Sequence, residues 1–256
     1  MFDIEFLHVI REFEYAQIVK RLPAGATILE IGGGTGYQAR RLSQDGYRVT
    51  SIDVPNSNYA DQQEFPVQPY DGVNIPFPGQ SFDVVFSSNV LEHVLELGQL
   101  QTEIKRVLRP GGYCVHLMPT GSWRFWTSCA HYTELVQRVA ILSPRLVPRG
   151  LSRHALADAL NVLRLMLGTA RGYAIVSRHG ERGTALTELV TFSPRYWRRH
   201  FVSQDFEIQE IVPAGLFYTG HMVLGKRLAL GARQYLAGAL GSACAIYVVR
   251  PRPVSK

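Results

Sequence analysis

Apolar residues along the first 120 positions switch between two periods. Leu7, Ile10, Phe13, Ile18 and Val19 recur near helical spacing between Glu5 and Leu22 until Pro23 and Gly25 stop the run, which predicts a leading helix. Thr27–Ile31 is a short apolar strand that ends in glycines, and Tyr37–Asp45 returns to helical spacing with Ala39 and Leu42 inward. Tyr47–Asp53 and Phe82–Ser87 read as buried strands, whereas Pro55–Pro69 between them reads as irregular or weakly helical. A helix through Val94 and another over Leu100–Leu108 then lead to a Pro110-Gly111-Gly112 turn and the strand Tyr113–Met118. Strands alternating with helices imply parallel pairing through right-handed crossovers.

After Pro119 the pattern changes. Helical runs over Glu134–Leu142 and Ala155–Leu167 are separated by Pro144, Pro148 and Gly150. The alternation resumes with a helix over Pro194–Val202, a strand over Phe206–Val212, a helix around Arg227–Leu240 and a last strand over Ala243–Arg250. The chain therefore divides into a leading helix (1–24), a core (25–119), a helical insertion or lid (120–193) and a C-terminal part that completes the core sheet (194–256). The expected class is α/β, a doubly wound, mostly parallel sheet with a helical insertion after strand five.

Composition supports a packed core, with 46% hydrophobic and 19% charged residues in 256. Cys114, Cys129 and Cys244 are an odd, scattered set with no ligand-like spacing, which fits a reduced, cytoplasmic setting. Met1–Arg21 mixes charges with apolar residues and does not read as a secretory signal, and Tyr235–Val249 is shorter than the roughly 20 residues that cross a bilayer. The net charge of +6 is unevenly placed: residues 121–200 hold twelve arginines and no lysine against four acids, and the rest of the chain holds fifteen bases against seventeen acids. Arginine forks suit phosphate or carboxylate, so this segment points to an anionic ligand or, by peripheral contact, an acidic membrane surface. A solvated helical surface is the competing reading. The arginines lie along helical stretches without a nucleic-acid-binding module, so nucleic acid is not an expected partner.

The densest chemical signal is Ile28-Leu29-Glu30-Ile31-Gly32-Gly33-Gly34-Thr35-Gly36. Glycines directly after a strand let the backbone turn sharply and approach a ligand, and the next helix offers free N–H groups. A dinucleotide fingerprint needs glycine where Tyr37 stands, and Glu30 is an unfavourable neighbour for a pyrophosphate. S-adenosylmethionine carries a sulfonium and an ammonium and no phosphate, so the acid favours it.

Glu30-x-Gly32-x-Gly34-x-Gly36 resembles the first motif of the class I S-adenosylmethionine-dependent methyltransferases. Further segments match in the expected order. Asp53 resembles the acid that accepts from the ribose hydroxyls, and Asp71 in Tyr70-Asp71-Gly72-Val73-Asn74-Ile75-Pro76-Phe77 resembles the acid that meets the adenine amino group. Phe82-Asp83-Val84-Val85-Phe86-Ser87-Ser88-Asn89-Val90-Leu91-Glu92-His93-Val94 and Leu108-Arg109-Pro110-Gly111-Gly112 are similar to motifs of the subgroup that includes quinone-biosynthesis methyltransferases. The resemblance covers roughly residues 25–120. It implies a seven-stranded Rossmann-like sheet and cofactor contacts from Glu30, Gly32, Gly33, Gly34, Gly36, Asp53, Asp71 and Asn89.

Methyl transfer is a displacement at the sulfonium carbon, so the protein aligns the reactants and, for an oxygen nucleophile, removes a proton. The candidate bases are His93, at the open end of the fourth strand, and His131 and His179 in the insertion, each with a packed or surface histidine as the competing reading. Arg178-His179-Gly180-Glu181-Arg182-Gly183 reads as a functional loop or a polar hinge, and Trp123, Phe125 and Trp126 as a stacking platform or a hinge core. No P-loop, HExxH, GxSxG or clustered metal ligands occur along the chain. The expected acceptor is an anionic or glycan-like small molecule methylated on oxygen, with a quinone or phenolic metabolite as the alternative. A protein that binds the cofactor without turnover and docks to a membrane is the alternative of another class.

Overall fold

The computed structural model describes residues 4–55, 63–147, 153–221 and 225–253. Helix α1 (Ile4–Val19) leads into β1 (Thr27–Ile31), α2 (Tyr37–Gln44) and β2 (Arg48–Asp53). Then come β3 (Val67–Pro69), β4 (Phe82–Ser88), α3 (Leu97–Val107) and β5 (Leu108–Pro119). The insertion holds α4 (Gly121–Leu142), α5 (Arg153–Gly172) and α6 (Ala185–Thr191). The chain closes with α7 (Pro194–Ser203), β6 (Phe206–Pro213), α8 (Leu230–Leu240) and β7 (Cys244–Pro251). The seven strands run in the order β3-β2-β1-β4-β5-β7-β6, and β7 alone is antiparallel to its neighbours. This is the expected doubly wound, mostly parallel sheet.

Both faces of the sheet are covered, so the strands read as nearly continuous apolar runs. Side chains alternate along them. Leu29, Ile31, Val85 and Met118 pack with Leu100 and Ile104 of α3 and Trp197 and Phe201 of α7. Ile28, Val84, Phe86 and Val115 face the other way, against Tyr15 and Ile18 of α1 and Leu42 of α2. His116 on β5 is buried, hydrogen-bonded to Ser87 at 2.8 Å and stacked on Phe201; burial lowers its pKa to about 3, so it is a neutral core residue.

Four local expectations differ from the structure. Val67–Pro69 forms an edge strand beside β2, held through Ser51, Ile52 and Asp53. Its three residues include a proline and border a polar segment, so periodicity alone did not reveal it; residues 56–62, and Pro148 and Gly150 of the insertion, lie outside the described residues. The helix expected through Val94 is only a 3-10 turn over Leu91–His93, because the lid uses its backbone: Glu181 N donates to Glu92 O at 3.3 Å. Strand β5 begins at Leu108 and runs through the expected turn, with an irregular register opposite Phe82 and Val84. Finally, α4 starts directly at Gly121, with the Thr120 hydroxyl accepting from Trp123 N, and continues for 22 residues.

Candidate functional site

In an open α/β sheet ligands bind beyond the carboxyl ends of the strands where the strand order reverses. Here that point lies between β1 and β4, whose ends pair Ile31 with Ser87. The glycine turn leaves β1 at this position. Gly32 and Gly36 have φ of +76° and +78°, and a side chain at either would overlap Val90 or Phe65. Gly33 lies so close to Ser51 that no Cβ fits. The turn is tied to β2 by Gly32 N and Gly33 N donating to Ile52 O at 2.8 and 3.1 Å, and by Gly34 N donating to Asp53 Oδ2 at 2.9 Å.

The acids divide by environment. Glu30 is buried beneath the turn and accepts from the Ser51 hydroxyl at 2.6 Å. Burial raises its pKa to about 7, Ser51 opposing and Asp53 adding to the shift. Its carboxyl group thus supports the turn from behind, and Ser51 is a supporting residue that sequence reading did not single out. Asp53, at the end of β2, holds Gly34 N with one oxygen and Val54 N with the other, at 2.8 Å. Asp71 is exposed and accepts from Val73 N, Asn74 N and Asn74 Nδ2 at 2.6–2.8 Å, and these bonds keep its pKa low. It closes its own turn. Asn89, with φ of +54°, donates its backbone N–H to Leu117 O at 2.8 Å, which turns the chain away from β4 at the strand ends.

A second group of residues assembles where the lid meets this edge. Arg124 of α4 and Glu188 of α6 form a buried ion pair at 3.2 Å. The other Glu188 oxygen accepts from His179 N and Gly180 N, each at 2.7 Å, and Arg124 donates to Ser177 O at 2.8 Å. Gly180 sits against Glu92 O with no room for a Cβ. The loop is further held by Arg182 donating to Leu95 O. These contacts fix Arg178–Gly183 over the turn that carries His93.

His93 and His179 therefore meet, with ring centroids 4.9 Å apart. The Glu92 carboxylate lies between them, its Oε1 3.9 Å from Nε2 of each ring, and Glu181 Oε1 is 3.8 Å from His93 Nδ1. Burial raises Glu92 to about 8 and lowers both imidazoles, His179 to about 4, so the rings are neutral at pH 7. The sequence shows no ligand cluster along the chain, yet among the described residues the fold brings Glu92, His93 and His179 within 4.8 Å of one another.

Other candidates stand apart. His131 does not join His93 and His179; it stacks on Tyr173 at 4.6 Å and donates to Tyr173 O at 3.2 Å. Trp123 is buried against His179 and Phe192, and Trp126 donates to Leu240 O at 3.1 Å, so both pack the lid onto the core and only Phe125 is exposed. Sequence patterning missed α1 as a site element. Arg11 donates to Glu14 at 3.0 Å and to Ser88 Oγ at 3.3 Å, next to Asn89. Glu14 is fully buried and also accepts from Tyr218 OH at 2.7 Å.

Residues 29–116 match the methyltransferase-domain family. An uncharacterized methyltransferase of Mycobacterium tuberculosis is 37% identical over 121 residues, 43% of this chain and 47% of that protein. One of Mycobacterium avium is 38% identical over 112 residues, 38% of this chain and 43% of that protein. The chain thus spans about half the length of the curated relatives it matches. A S-adenosylmethionine-dependent methyltransferase from Aquifex aeolicus superposes with a TM-score of 0.51 and 15% identity, covering 97% of this chain and 98% of that one. One from Mesorhizobium loti gives 0.52 and 15%, covering 93% and 97%. These two likenesses are of fold; the family match is confined to the segment that holds the glycine turn, both acids of the first two strands and the His93 turn.

Proposed function

We propose that the chain is a class I S-adenosylmethionine-dependent methyltransferase that methylates a hydroxyl of an anionic or glycan-like acceptor. The observation that carries the cofactor reading is the Gly32–Gly36 turn fastened to Asp53 at the strand-order switch. Asp53 has lone pairs left for two ribose hydroxyls, Asp71 stands exposed on the loop after β3, and the side-chain-free backbone of the turn lets the nucleoside approach closely. S-Adenosylmethionine, when bound, supplies the electrophilic methyl group.

The acceptor reading rests on the cluster at the lid. Neutral imidazoles beside a buried carboxyl group suit removal of a hydroxyl proton as the oxygen attacks. Either His93 or His179 takes that proton, and the loop contacts of Glu188 set the orientation of His179. Arg178 and Arg182 on the same loop give the approach a positive field that favours anions. A neutral quinone or phenol would gain nothing from those arginines.

Calorimetry with S-adenosylmethionine tests the cofactor site. One equivalent should bind, and Asp53→Ala should weaken the dissociation constant at least tenfold, since each hydrogen bond to a charged acceptor is worth about 1.5–3 kcal/mol. Absence of saturable binding ends the reading, and an unchanged constant removes Asp53 from the site. Labelled methyl transfer to anionic saccharides compared with neutral phenols then tests the acceptor; turnover of the phenols alone overturns that part.

A further inference from the structure

Glu92 presents a problem that the cofactor site does not solve. Its side chain has no solvent exposure, and neither carboxylate oxygen has a hydrogen-bond partner. A carboxylate taken out of water without a partner costs several kcal/mol, so such a group is protonated or holds a cation. What faces it decides between these. A protonated carboxyl should donate to a neighbouring acceptor within hydrogen-bond reach, but the nearest ring nitrogens are 3.9 Å away, on two separate histidines. Two imidazoles and a carboxylate converging on one point are a ligand set.

We propose that Glu92, His93 and His179 bind a divalent first-row transition ion, of the kind represented by Mn2+, Co2+ or Zn2+. Bonds of about 2.0–2.2 Å to such an ion put adjacent ligand atoms about 3–3.5 Å apart. The observed separations are 3.9 Å, with all three ligand atoms within 4.8 Å, and an ion would draw the three side chains together. Mixed imidazole and carboxylate ligation selects these ions over Mg2+ and Ca2+, which prefer oxygen. The surroundings also fit a metal centre. Glu181 Oε1 lies 3.8 Å from Nδ1 of His93, the ring nitrogen opposite the one nearer Glu92, where a carboxylate orients a ligating imidazole. The backbone of His179 is held by the buried Glu188, so the lid delivers the third ligand in a fixed position.

Three protein ligands leave positions open for a water or an acceptor hydroxyl. A metal there would lower the pKa of a bound acceptor hydroxyl, whose proton would pass to water, and His93 and His179 would then serve as ligands in place of the base role. That role rests on the methyl-transfer reading, whereas the ion site itself does not.

The test is cobalt(II) titration of the metal-free chain without S-adenosylmethionine, following the visible d–d bands. One equivalent should saturate the signal, and zinc should displace it. His179→Ala and His93→Ala should each lower the affinity at least tenfold; both rings are about one-third exposed, so neither substitution opens the core. His131→Ala, outside the cluster, should change nothing. Absence of a saturable band, or affinity unchanged in both cluster variants, overturns the site. Binding of S-adenosylmethionine measured on the same samples separates that failure from failure of the cofactor reading, and it should survive in His179→Ala.

Discussion

Burial holds Glu30 at about 7, against an ordinary value of 4.5, with Ser51 as its hydrogen-bond donor and Asp53 as a second negative charge nearby. Between these two pH values the folded chain retains a proton that the unfolded chain has released, so the stability due to this group is complete below pH 4.5 and is lost as pH rises through 7. The loss amounts to about 3 kcal/mol. Glu30→Gln keeps an acceptor for Ser51 and removes the titration, so the variant should gain on the wild type by that amount between pH 4.5 and 8 in urea unfolding. His116 acts in the opposite sense, its folded pKa near 3 lying below the ordinary 6.5, but it contributes equally to both proteins and cancels in the difference. A difference that does not vary with pH would mean that Glu30 is ionised throughout, and the account of the turn as resting on a protonated acid near neutrality would fail.

The insertion is held together by one buried pair, Arg124 on α4 and Glu188 on α6, and Glu188 also accepts from the amides of the loop that contacts the core. Removing one member leaves the other as an uncompensated buried charge. Glu188→Ala should therefore cost about 3–5 kcal/mol of stability in denaturant unfolding. Glu188→Gln should cost less, because its amide oxygen still accepts from His179 N and Gly180 N. A loss below about 1 kcal/mol for Glu188→Ala would show that water reaches the pair and that the loop is not held by it. This pair also marks where sequence reading stopped. The elements around the glycine turn were legible because strand, turn and helix are local: β1 matches its expected bounds, and the ends of α2, β2 and β4 fall within a residue of theirs. Asp53 was found by its place at a strand end. Glu188 reads only as an acid on a helix, and Glu92 as part of a motif, since burial and pairing arise from chain segments far apart in sequence. His93 and His179 were each identifiable as candidates, but that they face one another across Glu92 depends on how α4 and α6 carry the loop back to the sheet edge.

At the scale of the whole molecule the insertion has two sides. One side, through Arg124, Trp123 and Glu188, holds the loop that carries His179. The far side, on α4, α5 and the 3-10 turn over Ser143–Leu146 and just beyond it, exposes large apolar residues: Val136, Ile141 and Val147 are 66%, 67% and 72% exposed, and Leu160 and Leu167 are more than half exposed. Interleaved with them are Arg138, Arg145, Arg164 and Arg171. Among the described residues no helix is long and apolar enough to cross a membrane. Apolar side chains flanked by arginines match the interface of an acidic bilayer, where insertion of the former and attraction of the latter add together. The excess of basic charge lies in residues 121–200 and not in the rest of the chain. The chain should therefore co-sediment with vesicles containing anionic lipid and not with neutral ones, and the binding should weaken between low salt and physiological ionic strength, where the screening length shrinks to about 8 Å. Leu167→Asp and the double change Arg164→Glu, Arg171→Glu should each reduce it several-fold while leaving S-adenosylmethionine binding intact, since neither touches the glycine turn. Equal partition onto neutral and acidic vesicles would remove the arginines from the explanation, and unaltered binding by Leu167→Asp would remove the apolar face.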